Sequence, residues 1–376
     1  VLDFSTLEPA IDPNNRITFL LDWELTMKCN LDCSYCPVGI YGGHDNSMNH
    51  PKIDECFRTI DFMFEYVDLY MSRKPSGIKH VVLNVYGGES LHYPDIIKAL
   101  ERCRAVYQEK YLNNWNLTIT TTTNAIVNHR KMSGIIPYID EFTCSYHPEN
   151  TEKQKDLFKK NLLMIKDAGK NIKVVVLMHT TPELFEDSQS MIDWCRSHDI
   201  RHLPRQLDHK SKHDRWRYDS KQVTWFGNLY KKRSYGEIDE IDPKKQGDKF
   251  DLSDTGRACC GGRQLCKNSD FKKREFFVSN KFPDWYCSVN EFFLYIKQVN
   301  GEIFVNKDCK MDFQGNVGPI GNLNDCETLI EWTRTNLQMN TMPIIQCKKS
   351  SCWCGLCAPK AEKLDDFKNI MRKFQK

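Results

Sequence analysis

No stretch of this chain stays apolar for the roughly 20 residues that a membrane-spanning helix needs, so no such span is expected. The N-terminus, Val1-Leu2-Asp3-Phe4, lacks the basic-then-apolar pattern of a secretory signal. A net charge of only +3 gives no overall pull toward a polyanion, and any nucleic-acid contact has to come from a local patch. Internal repeats and low-complexity tracts are missing too, which excludes solenoids and repeat arrays. What remains is an ordinary globular composition, 40% hydrophobic and 27% charged. Its 376 residues suffice for a large domain and a smaller one.

Cysteine is the residue in excess. Seventeen of them, an odd number grouped as in Cys352-Trp353-Cys354 and lacking a secretion signal, argue for metal in a reducing compartment. A cytoplasmic location is the expectation. The most informative stretch is Lys28-Cys29-Asn30-Leu31-Asp32-Cys33-Ser34-Tyr35-Cys36, three cysteines at C-x3-C-x2-C spacing. A structural zinc site takes four ligands and usually shows paired C-x2-C motifs. Three thiolates instead leave one iron of a four-iron cubane open to a small molecule. A zinc knot, or unrelated buried cysteines, is the plain alternative.

Periodicity orders the first half of the chain. Strands are predicted over 17–26, 79–86, 117–123, 141–146, 172–178 and about 201–207, from β-branched and apolar runs. Helices are predicted over 51–71, 93–112, 129–135, 152–168 and 182–198, from apolar residues three and four apart. Six strands alternating with five helices argue for an α/β fold with an all-parallel sheet covered by helices, with functional groups at the C-terminal ends of the strands. Residues 1–15 read as an irregular lead-in, 16–208 as the α/β unit, 209–255 as a linker with an amphipathic helix near 221–232, 256–360 as a cysteine-rich domain and 361–376 as a C-terminal helix.

With Cys29, Cys33, Cys36 and the aromatic Tyr35 in place, the sequence resembles the radical S-adenosylmethionine (radical SAM) superfamily. The resemblance implies a partial (β/α)6 TIM-like barrel. It implies a [4Fe–4S] cluster on the three cysteines, with SAM chelated by the open iron and cleaved to a 5′-deoxyadenosyl radical that abstracts hydrogen from a substrate. Gly87-Gly88-Glu89, after the second strand, resembles the family's SAM-binding motif and would seat the methionine part, with Tyr35 beside the adenine. Asn124 and Ser145 would contact the ribose or carboxylate, and Met178 the adenine. For Asn124 and Ser145, capping of the next element is an equal alternative. His147 and His179 read as structural histidines.

The C-terminal cysteines resemble a SPASM or Twitch domain, which carries auxiliary [4Fe–4S] clusters. Eight ligands for two clusters are assigned to Cys260, Cys266, Cys287, Cys309, Cys347, Cys352, Cys354 and Cys357, with Cys259 a substitute for Cys260. The spacing departs from that domain's usual pattern, so one cluster with spare thiols, or a zinc site on the last four cysteines, stays open. Cys56, Cys103, Cys144, Cys195 and Cys326 read as core residues.

The resemblance points to a peptide or protein side chain as substrate and to a flavodoxin or ferredoxin as electron donor. Only 28 residues precede Cys29, too few for the leader-binding domain of many peptide-modifying members, which weakens the peptide reading without excluding it, because a separate protein can supply the recognition. A second reading, radical modification of a nucleic-acid base, draws on the basic and aromatic stretch from Lys210 to Arg233, which also reads as a linker packed on the barrel. A third is a non-catalytic iron–sulfur or zinc scaffold. Arg205 and Asp208, near the last strand's end, are the expected substrate contacts.

Overall fold

The computed structural model describes residues 6–7, 16–36, 45–74, 78–207, 218–226, 284–307, 309–348 and 360–372. After β1 (Thr6–Leu7), strands and helices alternate: β2 (Arg16–Thr26), α1 (Ile53–Met71), β3 (Ile78–Gly87), α2 (Ile96–Val106), β4 (Asn116–Thr123), α3 (His129–Ile135), β5 (Glu141–Tyr146), α4 (Glu152–Asp167), β6 (Asn171–Met178), α5 (Pro182–Ser197) and β7 (Arg201–Gln206). Strands β2 to β7 lie in sequence order and pair in parallel throughout. The expected six-strand α/β unit is therefore present. Among the described residues β7 pairs on one side only, so the sheet does not close there.

The C-terminal part contributes β8 (Tyr286–Cys287), β9 (Phe293–Lys297), β10 (Glu302–Phe304), β11 (Gly321–Asn322), α6 (Cys326–Met339), β12 (Ile345–Gln346), β13 (Lys360–Ala361) and α7 (Leu364–Met371). Strands β9 and β10 form a hairpin, with Gly301 at φ +73° in the turn. Strand β9 also lies parallel against β2, with Tyr295 opposite Asp22. Antiparallel β10 and β11 complete a nine-stranded sheet, so the sheet is not parallel throughout. An open β2 edge would leave its backbone groups unpaired, and β9 covers it. A second sheet holds β1, β13, β8 and β12.

Strand alternation gives the main sheet two unlike faces. Phe19, Leu21, Trp23 and Leu25 of β2, with Val81, Leu83 and Val85 of β3, are buried in one core with Ile60, Met63, Phe64 and Val67 of α1. On the other face Asn84 donates to Asp22 at 2.9 Å, Thr120 to Asn84 at 3.3 Å, and Tyr295 to Glu24 at 2.8 Å. A parallel sheet is usually apolar on both faces, and this polar face departs from that pattern.

One expected helix is shorter than predicted. Pro94 drives Tyr93 to an extended conformation, so Ser90–His92 forms a separate 3-10 turn and α2 begins at Ile96. After Val106 the backbone widens into a π-turn, Tyr107–Tyr111.

Candidate active site

The chain leaves β2 at Thr26 and turns into the three cysteines over the end of β3. Gly88 donates its N–H to Thr26 O at 2.7 Å and Glu89 to Lys28 O at 2.8 Å. A Cβ on Gly87 would stand 2.0 Å from Thr26 O, and one on Gly88 2.4 Å from Met27 O. Both glycines are thus required by backbone-to-backbone contact with the approach to Cys29.

Glu89 is buried, with both carboxylate oxygens in use. Oε1 accepts from Leu91 N at 3.0 Å and Thr123 Oγ1 at 2.7 Å, while Oε2 accepts from Asn124 N at 2.5 Å. Burial nonetheless raises its carboxyl above the ordinary range. Asn124, thereby fixed at the end of β4, turns its amide to Asn30 Oδ1 at 2.7 Å, with Cys29 Sγ at 3.9 Å. Asn30 returns a bond to Ile126 O at 2.8 Å, and Cys29 N donates to Asn46 Oδ1 at 2.9 Å. The Cys29 end of the loop is pinned to strand ends β3 and β4.

The Cys33 end meets β5 and β6. Cys36 N donates to Cys33 O at 3.0 Å, closing a turn. His147 Nδ1 lies 3.3 Å from Cys33 Sγ and 2.9 Å from the Tyr35 hydroxyl, with its ring parallel to that of Tyr35 at 5.9 Å. Glu149 accepts both the N–H of Ser34, at 2.9 Å, and its hydroxyl. Burial pushes the thiols of Cys29 and Cys33 up to about 11 and about 12, the Cys33 value helped by neighbouring Cys29 and Cys36. Without metal they are neutral; metal binding would have to release their protons.

Among the described residues no three His, Cys, Asp or Glu side chains converge as on one metal ion. A tetrahedral zinc, with Zn–S near 2.3 Å, draws its sulfurs to about 3.8 Å of each other. Cubane ligands each hold a different iron and stand farther apart. Three half-buried thiols on one short loop at strand ends are the donor set that a cluster with one open iron would take.

Other expected residues fall in different places. Ser145 of β5 lies half-buried on the polar face, opposite to Cys144 and Tyr146. The Met178 side chain is fully buried in the core; what Met178 offers at the strand end is its carbonyl, which accepts from Tyr218 at 2.7 Å. Arg205 is exposed on β7, which lies next to β6 with four strands between it and β2. Cys287 and Cys309 share one buried cluster, and Cys347 N donates to Trp285 O at 2.9 Å beside them. Cys259, Cys260, Cys266, Cys352, Cys354, Cys357 and Asp208 lie outside the described residues. Cys56, Cys103, Cys144, Cys195 and Cys326 are all buried.

Sequence reasoning missed Asn30, Asn46 and Glu149. Asn30 follows the first cysteine directly, and that adjacency is the signal the sequence offers. Glu149 sits three residues beyond β5, the place in such sheets where functional side chains collect.

No protein-family model and no curated protein matches the sequence. Among solved structures the chain is similar to Streptococcus suis SuiB, at TM-score 0.50 and 16% identity over 85% of this chain and 66% of that one. It is also similar to native anSMEcpe solved with bound AdoMet and Cp18Cys peptide, at TM-score 0.51 and 11% identity over 95% of this chain and 96% of that one. The chain thus spans just under two thirds of the SuiB chain. These likenesses are of fold. They bear out the partial-barrel architecture expected from the sequence.

Proposed function

We propose that this chain is a radical SAM enzyme, with Cys29, Cys33 and Cys36 as ligands of a [4Fe–4S] cluster. The observation that carries the reading is the place of these thiols: one loop, at the C-terminal end of the first long strand of a parallel sheet, packed on Gly87-Gly88. When bound, such a cluster supplies the electron that cleaves SAM to methionine and a 5′-deoxyadenosyl radical. The fold shared with a protein solved with AdoMet supports the same reading.

The chain's own residues divide the remaining work. Gly87, Gly88 and Glu89 shape the loop and set Asn124, and the strand-end groups Asn124 and Ser145 stand where SAM would lie. Tyr35, already at His147, borders the same end. The polar sheet face with Glu24, Asn84 and Tyr295 receives the substrate, which we read as a peptide or protein side chain. One of the two fold neighbours was solved with a peptide, which favours that class. A flavodoxin or ferredoxin would deliver the electron. Cys287, Cys309 and Cys347, together with Cys260, Cys266, Cys352, Cys354 and Cys357, are proposed for one or two auxiliary clusters in a C-terminal unit of 256–360. Among the described residues no helix is long and apolar enough to cross a membrane.

The nucleic-acid reading finds less support. Of its aromatic residues, Tyr218, Trp225 and Phe226 pack edge-to-face against Phe185 of α5 or one another, and rings engaged in this way are not left for bases. Anaerobically reconstituted protein, reduced by dithionite in the presence of SAM, should release 5′-deoxyadenosine, and Cys33→Ala should not. Iron-loaded parent protein that leaves SAM intact would overturn the proposal.

A further inference from the structure

Glu149 stands in a turn built to hold it still. Pro148 fixes the backbone before it, Asn150 N donates to His147 O at 3.1 Å, and Thr151 caps α4 in a reciprocal pair with Gln154. From there its carboxylate takes both donors of Ser34, the residue directly after Cys33. On its other side lies His179, just past β6. Thr181 N donates to His179 Nδ1 at 3.0 Å, so the ring proton is on Nε2, which faces Glu149 Oε1 at 3.4 Å.

A carboxylate beside a set of thiolates is electrostatically unfavourable, since like charges repel at short range. Its two bonds to Ser34 are what it contributes in return. A bidentate grip on one backbone N–H and its own hydroxyl fixes both the direction of the Cys33–Cys36 turn and its distance from β5. The opposite end of the loop has its own anchors in Asn30, Asn46 and Asn124.

We propose that Glu149 is a positioning residue for the cluster: it clamps the Cys33–Cys36 turn through Ser34 and adds a negative charge next to the irons. The inference rests on Cys29, Cys33 and Cys36 being the cluster ligands. A negative charge at that place disfavours the more negative, reduced cluster and so lowers its potential, which makes it a stronger reductant.

The test compares iron content and the midpoint potential of the cluster, followed by its electron paramagnetic resonance signal, in the parent, Glu149→Ala, Glu149→Gln and Cys33→Ala. Glu149 is about a quarter exposed, so its replacement leaves the core intact, and an unchanged unfolding midpoint checks this. Glu149→Ala is expected to retain less than half of the iron that Cys33→Ala loses. Glu149→Gln, which keeps the shape and loses the charge, is expected to retain that iron with the potential shifted upward. Full iron in Glu149→Ala with an unshifted potential in Glu149→Gln overturns the clamp while leaving the cluster assignment standing. Parent protein without iron that Cys33→Ala removes overturns both.

Discussion

Glu89 and Asn124 belong to different strand ends, yet the Glu89 carboxylate accepts the Asn124 backbone N–H at 2.5 Å. Through that bond the glycine-rich turn after β3 sets the side chain that reaches Asn30 and Cys29. In Glu89→Gln one oxygen becomes an NH2 group, and one of the donors from Leu91, Thr123 and Asn124 is left facing another donor. The expected loss is about 1–3 kcal/mol of stability, from a buried group left unpaired. Urea unfolding of the two proteins checks it, and an unchanged midpoint would count against the buried network.

Gly88→Ala places a methyl group 2.5 Å from Lys28 O. The contact is with backbone, which cannot swing aside as a side chain does, so the cysteine loop has to shift. A cost of about 1–3 kcal/mol is expected for such overpacking, together with loss of iron at the first site. Iron analysis beside thermal unfolding separates the two effects. A stable variant with parental iron would show that the loop does not depend on this contact.

Lys74, just past α1, and Glu291, just before β9, form an ion pair at 2.7 Å with side chains 2% and 14% exposed, and Lys74 also sits 4.5 Å over the Phe292 ring. Removing one partner strands the other. Glu291→Gln or Lys74→Met should each destabilise by about 3–5 kcal/mol, and the double replacement by less than the sum. Chemical unfolding of all four proteins gives the coupling; strict additivity would deny that this pair joins the N- and C-terminal parts.

Burial raises the Glu24 carboxyl above its ordinary value near 4.5, against the hydrogen bond from Tyr295 and the charge of Lys307. The folded chain keeps a proton there that the unfolded chain has already released. The stability this group supplies is complete below the unfolded value and is lost as pH rises through the raised one. Glu24→Gln still accepts from Tyr295 but has no proton to lose. Its stability relative to the parent should therefore be higher at about pH 8 than at about pH 5. The same difference at both values would contradict a raised carboxyl.

Much of the N-terminal sheet was legible because its signals are local. The residues predicted for α3 and β5 are those observed, since turn residues and alternation mark both ends. The cysteine spacing, too, is local, and so is Gly87-Gly88-Glu89 directly after its strand. What escaped depends on distant partners. Trp23 donates to Gln298 Oε1 at 2.9 Å across 275 positions, and no window of sequence announces that β9 will lie beside β2. Glu149 meets Ser34 across 115 positions from an unremarkable turn. Met178 ends its strand as expected, and only the observed alternation of β6 shows that its side chain turns into the core.

The most direct measurement is iron and acid-labile sulfide in anaerobically reconstituted protein, parent against the Cys29→Ala/Cys33→Ala/Cys36→Ala variant. The account predicts that the variant loses about four irons and four sulfides, one cubane, and keeps whatever the C-terminal cysteines hold. Equal iron in both proteins, or zinc in place of iron in the parent, would contradict it.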